Sequence, residues 1–446
     1  MLGVLAREDE DVCAVGVTSR ATDAPVTPDT LFQIGSITKV WTTTLVQILA
    51  EEGRLQLDAP VRTYVPELKL LDEGTAEAVT VRHLVNHTSG LPGDYFPDTG
   101  RGDDCLERYL GVLGSAELTH PLGALFSYSN AAFVLAGLVI ERVEGTTWDS
   151  ALVRRLIEPM ALSGTVTLPE DALLHRCAVG HLGSGPSQRV TPRWMLPRSC
   201  GPAGLIAARA HDVLEFARLH LTGGITRSGA RLLDADSVKA MQTITVSMPG
   251  DDEGRLGFGL GWGLGRWSGK SVLQHDGGTI GQAAALRVFP ELGVAVCLTS
   301  NGGDWIPFRD AVLTEAVADA VGLAPPGALT PKQLPSPANS GDFVGTYRNI
   351  GAVITVTRRG EELLIALQAL DLLEALATDD LSTPRPLRAH GADAFLFLAP
   401  DGSSWIQVQF IRGSAGDVAY LHTFGRAARR SVTTAGSSLE GSGEHA

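Results

Sequence analysis

The chain has 446 residues, 44% apolar and 19% charged, which is ordinary globular usage and excludes disorder, collagen and fibrous coiled coil. At roughly 100–200 residues per domain, this length predicts one large domain with a smaller companion, or two to three modest ones. A formal net charge of −14, from 36 Lys and Arg against 50 Asp and Glu, repels phosphate backbones and anionic lipid, so neither nucleic acid nor a membrane is expected as a partner.

The N-terminal stretch Met1–Ala6 runs directly into Arg7-Glu8-Asp9-Glu10-Asp11, too short and too acidic for an export signal, and a cytoplasmic location is expected. Alternating apolar residues at Val12–Val17 predict a strand. A long helix is expected from about Ser36 to a stop at Gly53. The longest uncharged run, Leu118–Ile140, has the length of a membrane span but carries Ser127, Tyr128, Ser129 and Asn130 in its middle. It reads as a loop entering a buried helix, Asn130–Val143, ended by Gly145. Further on, Ala283–Phe289 and Gly293–Thr299 form a hairpin pattern joined by Pro290-Glu291-Leu292.

Residues 324–341 contain five prolines and no apolar periodicity, the composition of a linker. Short strand patterns follow at Phe343–Tyr347, Ala352–Thr357, Glu362–Leu367, Phe395–Leu398, Ile406–Phe410 and Val418–His422. They predict a small antiparallel barrel or sandwich over 342–430. The small, polar residues 431–446 read as a disordered tail. Five cysteines (13, 105, 177, 200 and 297) lie far apart with no CxxC pair, so neither a zinc knuckle nor a disulfide framework is indicated.

Three motifs carry chemistry. Ser36 and Lys39 sit three positions apart at a helix start, one turn from each other on one face. A desolvated lysine there can accept the serine proton. Only five lysines occur in the chain, and Ser-x-x-Lys alone is a weak signal, equally an N-capped helix with a solvent lysine. In Tyr128-Ser129-Asn130, a phenol can relay protons and an amide can hold a substrate or steady a lysine. In His275-Asp276-Gly277-Gly278, glycines beside a strand let a substrate approach, and a free strand-edge N–H can bind an oxyanion. Taken singly, the last two read as an ordinary loop and an ordinary turn.

Competing sites are weaker. His83 and His87 have the spacing of a zinc pair but lack a third ligand, so no metal is expected, nor any other cofactor. Gly257-x-Gly-x-Gly261 lacks the βαβ unit of a dinucleotide site. Trp262 and Trp267 could stack on a ligand or fill the core. Cys200 lacks a catalytic partner.

The order and spacing of the three motifs resemble the serine penicillin-recognising family, in its class C β-lactamase, esterase and D-aminopeptidase branch. Thr30–Ser36, Leu57–Val61, Arg82–Leu91, Pro202–Gly204 and Gly257–Trp262 extend the resemblance over residues 1–320. The segment from Phe343 looks like the lipocalin-like barrel of some members. The resemblance implies an α/β fold, with an antiparallel sheet flanked by helices, an all-helical lobe around 65–200 and a small C-terminal antiparallel β-barrel domain. The domains would span 1–323 and 342–430. It implies Ser36 as acylated nucleophile, Lys39 and Tyr128 as shared base, and His275 where many members have lysine. Asn130 would contact substrate or Lys39, and Gly277 and Gly278 would line the substrate strand, the N–H groups of Ser36 and Gly278 forming the oxyanion hole. The substrate would be a small-molecule or peptide ester or amide, and the barrel could close over the cleft or support a homodimer. A β-lactamase or D,D-peptidase is the runner-up; a ligand-binding protein that keeps the fold is the non-enzymatic alternative. Two departures stand out: histidine at 275 removes an obligate cation, which favours neutral acyl donors, and no helix precedes the first strand.

Overall fold

A computed structural model describes residues 1–431 except 184, 252–255, 333, 335–339 and 371–379. The chain opens with strands β1 (Leu2–Ala6) and β2 (Asp9–Cys13). The expected strand at Val12–Val17 is thus displaced towards the N-terminus. The alternation that predicted it lies mostly in the exit loop, where no partner strand continues. A short turn, Gly35–Ile37, leads into helix α1 (Thr38–Glu51), whose residues 38–49 are all buried. A helix buried on every side belongs in a core, and its threonines at 43 and 44 turn their hydroxyls back to the Lys39 and Val40 carbonyls. The helical lobe contains α2 (Cys105–Leu113) and α3 (Asn130–Glu144). Ser129 caps α3 by accepting a hydrogen bond from the Ala132 N–H, and Gly145 ends it at φ 70°, a left-handed position that suits glycine.

Helix α4 (Ala210–Leu221) is followed by six strands: β3 (Val246–Ser247), β4 (Gly257–Phe258), β5 (Gly263–Trp267), β6 (Lys270–Gly278), β7 (Ala283–Phe289) and β8 (Val294–Ser300). They join the first two in an eight-stranded antiparallel sheet of order β2-β1-β8-β7-β6-β5-β4-β3. The hairpin pattern at 283–299 is correct in place and type. Alternation along β7 sends Ala284, Leu286 and Val288 into the main core with α1 and α4. Ala285 and Phe289 go to the opposite face, against Leu313 and Val317 of α5 (Trp305–Val321). Trp262 and Trp267 are both buried in these cores, which removes them as a ligand platform.

Among the described residues, 324–334 form no helix or strand. A second antiparallel sheet of nine strands then curls into a nearly closed barrel. Its strands are β9 (Gly345–Asn349), β10 (Ala352–Arg359), β11 (Glu362–Ala369), β12 (Arg385–Pro386), β13 (Arg388–Ala389), β14 (Ala394–Leu398), β15 (Trp405–Arg412), β16 (Val418–Thr423) and β17 (Arg426–Arg430). Their order is β12-β11-β10-β9-β17-β16-β15-β14-β13, around Phe343, Tyr347, Phe395 and Phe410. Strand β17 was not anticipated, because Arg-Ala-Ala-Arg-Arg lacks the aliphatic alternation that marks the others. The tail from 432 lies outside the described residues. No helix among the described residues is long and apolar enough to cross a membrane.

Several histidines are buried without charge. Burial pushes His220 down to about 3, and His275 and His422 to about 4. The unfolded chain takes up these protons near pH 6.5, before the folded chain can. Stability is therefore full above 6.5 and falls as pH drops towards 4, by about 1.4 kcal/mol per pH unit for each histidine. Thermal melts from pH 7 to 4 are expected to show this loss, and His220→Phe should flatten it.

Candidate active site

Ser36 sits in the turn between strand Phe32–Gln33 and α1, and that turn depends on glycine at 35. Gly35 has φ +52°, and a Cβ there would come 2.5 Å from the Gly278 nitrogen. A Cβ on Gly277 would come 1.9 Å from the Ile34 carbonyl oxygen and 2.9 Å from the Ser36 nitrogen. The absence of both side chains lets the end of β6 lie against the serine turn. Strand β5 stops pairing with β6 at Gly263–Gln274, so from His275 onward no strand among the described residues pairs with this edge of β6.

Lys39, one helical turn from Ser36, has no exposed surface. Its Nζ lies 3.1 Å from Ser36 Oγ, 2.7 Å from Asn130 Oδ1 and 2.6 Å from the Ala203 carbonyl oxygen. Burial, and then the Arg426 guanidinium, push its pKa well below the usual lysine range, against an opposing pull from Asp94. Once deprotonated, the amine has two N–H bonds and one lone pair. Asn130 Oδ1 and Ala203 O can only accept, so they take both N–H bonds and leave the lone pair for the Ser36 hydroxyl.

Tyr128 packs beside this pair, with Lys39 Nζ 4.9 Å from its ring centre and the His87 ring stacked on it at 4.3 Å. Burial raises its pKa, opposed by the Ser36 hydroxyl that it faces, so the phenol keeps its proton at neutral pH. Its hydroxyl has no hydrogen bond of good geometry among the described residues. His275 lies across the cleft, its ring centre 6.2 Å from that of Tyr128. Ser36, Tyr128 and His275 line one cleft of about 550 Å³, with Phe258, Arg287, Arg309 and Arg426. Thus the serine, lysine, phenol, amide, imidazole and paired glycines singled out in the sequence converge.

Four further charged residues at the site had no signal in the sequence. Arg426, the first residue of β17, pairs with Asp94 at 2.7 Å, and Asp94 accepts from Asn130 Nδ2 at 3.1 Å. The barrel hairpin is fixed to the lobe by backbone contacts as well. The Tyr128 N–H donates to the Gly425 carbonyl at 2.9 Å, and the Ala427 N–H donates to Ser127 Oγ at 3.1 Å. On β6, Asp276 is held between Arg287 and Arg309, at 2.6 Å from each. Burial works to raise its pKa, but the two guanidiniums hold it below the usual carboxylate range. The cleft therefore has cations although position 275 is not lysine, which weakens the argument that favoured neutral acyl donors.

The weaker candidates have local duties. His83 Nδ1 is bound to Thr80 at the start of its own short helix, while His87 Nδ1 accepts from the Ser129 N–H, so the two rings serve different ends. Gly261 lets the chain pass Thr43, whose Oγ1 would be 2.5 Å from a Cβ. Burial pushes the Cys200 thiol up to about 12, which leaves it unreactive. Glu10, His211 and Glu215 come together, but Arg218 and Arg227 pair with Glu215.

A model of the beta-lactamase family matches residues 2–321, and the chain belongs to that family. It is 38% identical over 353 residues to penicillin-binding protein 4 of Amycolatopsis lactamdurans, covering 78% of this chain and 93% of that one. The crystal structure of SurE covers 96% of this chain and 94% of its own, with 27% identity and a TM-score of 0.76. A D-stereospecific amidohydrolase from Streptomyces sp. covers 68% of this chain and 89% of its own, at 26% identity and a TM-score of 0.55.

Proposed function

We propose that the protein transfers acyl groups through an ester on Ser36, opening an ester or amide of a small molecule or peptide. The observation that carries this is the surroundings of Lys39: Ser36 Oγ, Asn130 Oδ1 and the Ala203 carbonyl ring its Nζ, so that when the amine loses a proton the two obligate acceptors keep its N–H bonds and its lone pair turns to Ser36 Oγ. The amine takes the serine proton as Oγ attacks the acyl carbon, and Tyr128 passes a proton to the leaving group. The N–H groups of Ser36 and Gly278 receive the developing oxyanion. Asn130 orients Lys39, and the edge of β6 at Gly277 and Gly278 receives the substrate backbone.

Similar proteins support a D-configured residue at the acyl position: one SurE structure has D-Leu bound, and the Streptomyces enzyme is named for D-stereospecificity. A second reading, acylation by penicillin, is favoured by the name of the Amycolatopsis protein. Intact-protein mass spectrometry with p-nitrophenyl esters of D- and L-amino acids, and with penicillin, separates the two. One adduct per chain is expected from the D-ester, and none on Ser36→Ala. An adduct that survives Ser36→Ala sinks the assignment.

A further inference from the structure

We propose that the mouth of the barrel is a further part of the acyl-transfer site, holding an apolar chain carried by the leaving group or by the acceptor that replaces it. This rests on the Ser36 reading above and names the class of acceptor: an alcohol or amine with an aliphatic or aromatic extension.

The cavity follows from side-chain size along one strand pair. On the inward face of β10 and β11, cross-strand partners run Val356–Ile365, Ile354–Leu367 and Ala352–Ala369. The first two pairs are buried in the barrel core. The last is two alanines, and where they fall short a cavity of about 740 Å³ opens, lined also by Leu381 and Phe424. That volume is within the roughly 300–1,000 Å³ of small-molecule sites. Polar groups at its rim are satisfied within the protein. Asn349 Nδ2 donates to the Ala427 carbonyl, Thr423 Oγ1 donates to the Gln407 carbonyl, Asp380 accepts from Ser382, and Arg426 pairs with Asp94. Gln368 is exposed to solvent. What the cavity offers a ligand is therefore apolar surface.

Phe424 and Arg426 line this cavity and the Ser36 cleft alike. Thr423 and Arg426 are partners across the two-residue turn Phe424-Gly425, in which both residues have positive φ, 50° and 74°. Such a turn matches the twist of a hairpin, but a bulky aromatic at its first position is an outlier held against strain. The Phe424 side chain is 46% exposed, so burial in a core does not account for it. It stands where the two hollows meet.

Tyr128 sets which half of the substrate reaches the barrel. Its N–H donates to the Gly425 carbonyl, and the Arg426 guanidinium lies 5.0 Å from its ring centre. A leaving group that takes its proton from Tyr128 departs past this hairpin tip, and an acceptor enters by the same way. The acceptor oxygen or nitrogen then bonds to the acyl carbon as the bond to Ser36 Oγ breaks, and the proton it loses passes through the Lys39–Tyr128 pair to Oγ. Its apolar chain meanwhile leaves water for the barrel mouth, which favours it by about fourfold per fully buried methylene.

The test acylates the full chain with one p-nitrophenyl ester and offers ethanol and 1-hexanol together, at equal concentration. Mass spectrometry reads the ratio of hexyl to ethyl ester, which does not depend on how much of the enzyme is folded. We expect about 50-fold more hexyl ester from the wild type, and less than about tenfold from Ala369→Phe, which fills the cavity. Ala352→Leu gives the same reading should the phenylalanine variant not fold. A wild-type ratio below about tenfold, no ester of either alcohol, or a variant that keeps the wild-type ratio overturns this subsite alone. So does a preference for p-nitrophenyl hexanoate over acetate that Ala369→Phe removes, since it would put the acyl half in the barrel. A wild-type chain that never carries an adduct on Ser36 overturns the underlying reading as well.

Discussion

Lys39→Met is expected to slow acylation of Ser36 by about 1000-fold while leaving the fold intact. Methionine has nearly the volume of the buried lysine stem, so the packing between α1 and α3 survives, and only the amine is lost. The serine then keeps its proton, with no other base whose lone pair faces it. The wild-type rate should rise with pH as Lys39 loses its proton, and that limb lies below the ordinary lysine range because burial and Arg426 disfavour the ammonium form. The burst rate of p-nitrophenolate release, followed across pH, measures both effects. A methionine variant within tenfold of the wild type, with an unchanged acid limb, would remove Lys39 from the mechanism.

Arg426→Ala has the second largest expected effect, and a compound one. Its loss leaves the Asp94 carboxylate, 9% exposed, without its cation, which costs on the order of 2 kcal/mol. The same change moves Lys39. Arg426 lowers the lysine pKa and Asp94 raises it, so both the lost guanidinium and the unpaired carboxylate favour the ammonium form. The acid limb of kcat/KM should therefore move to higher pH, with a lower Tm. Asp94→Asn in the same chain should recover part of both. A limb that stays in place while Tm falls would make the pair purely structural.

These two residues differ in how far the sequence reveals them. Lys39 stands three positions after Ser36 at the start of a long helix, and Tyr128 and Asn130 stand at the start of another, so local patterns expose them. The interrupted hydrophobic run at 118–140 already places a polar group at the mouth of a buried helix. Arg426 gives no such signal. It pairs with Asp94 across 332 positions, on a strand whose charged residues disguise it, and no local periodicity encodes a contact between a barrel strand and a loop of the helical lobe. Arg287 and Arg309 are obscured for a related reason. Arg287 lies on a strand of the hairpin that the sequence marks and Arg309 on a helix, α5, that it does not, and their joint hold on Asp276 arises only when the sheet and helix pack. The displaced first strand has the simplest cause: apolar alternation continues past the point where a neighbour is available to pair.

The docking of Phe424, Gly425 and Arg426 beside Tyr128 also bears on biosynthesis. The wall opposite the nucleophile is encoded some 390 codons after it, by the difference between positions 36 and 426. A nascent polypeptide stalled anywhere in between would present a serine with an amine at hand but no complete vessel around it. Completion of the vessel is thereby tied to translation having passed position 426, whatever the serine turn has already achieved by itself.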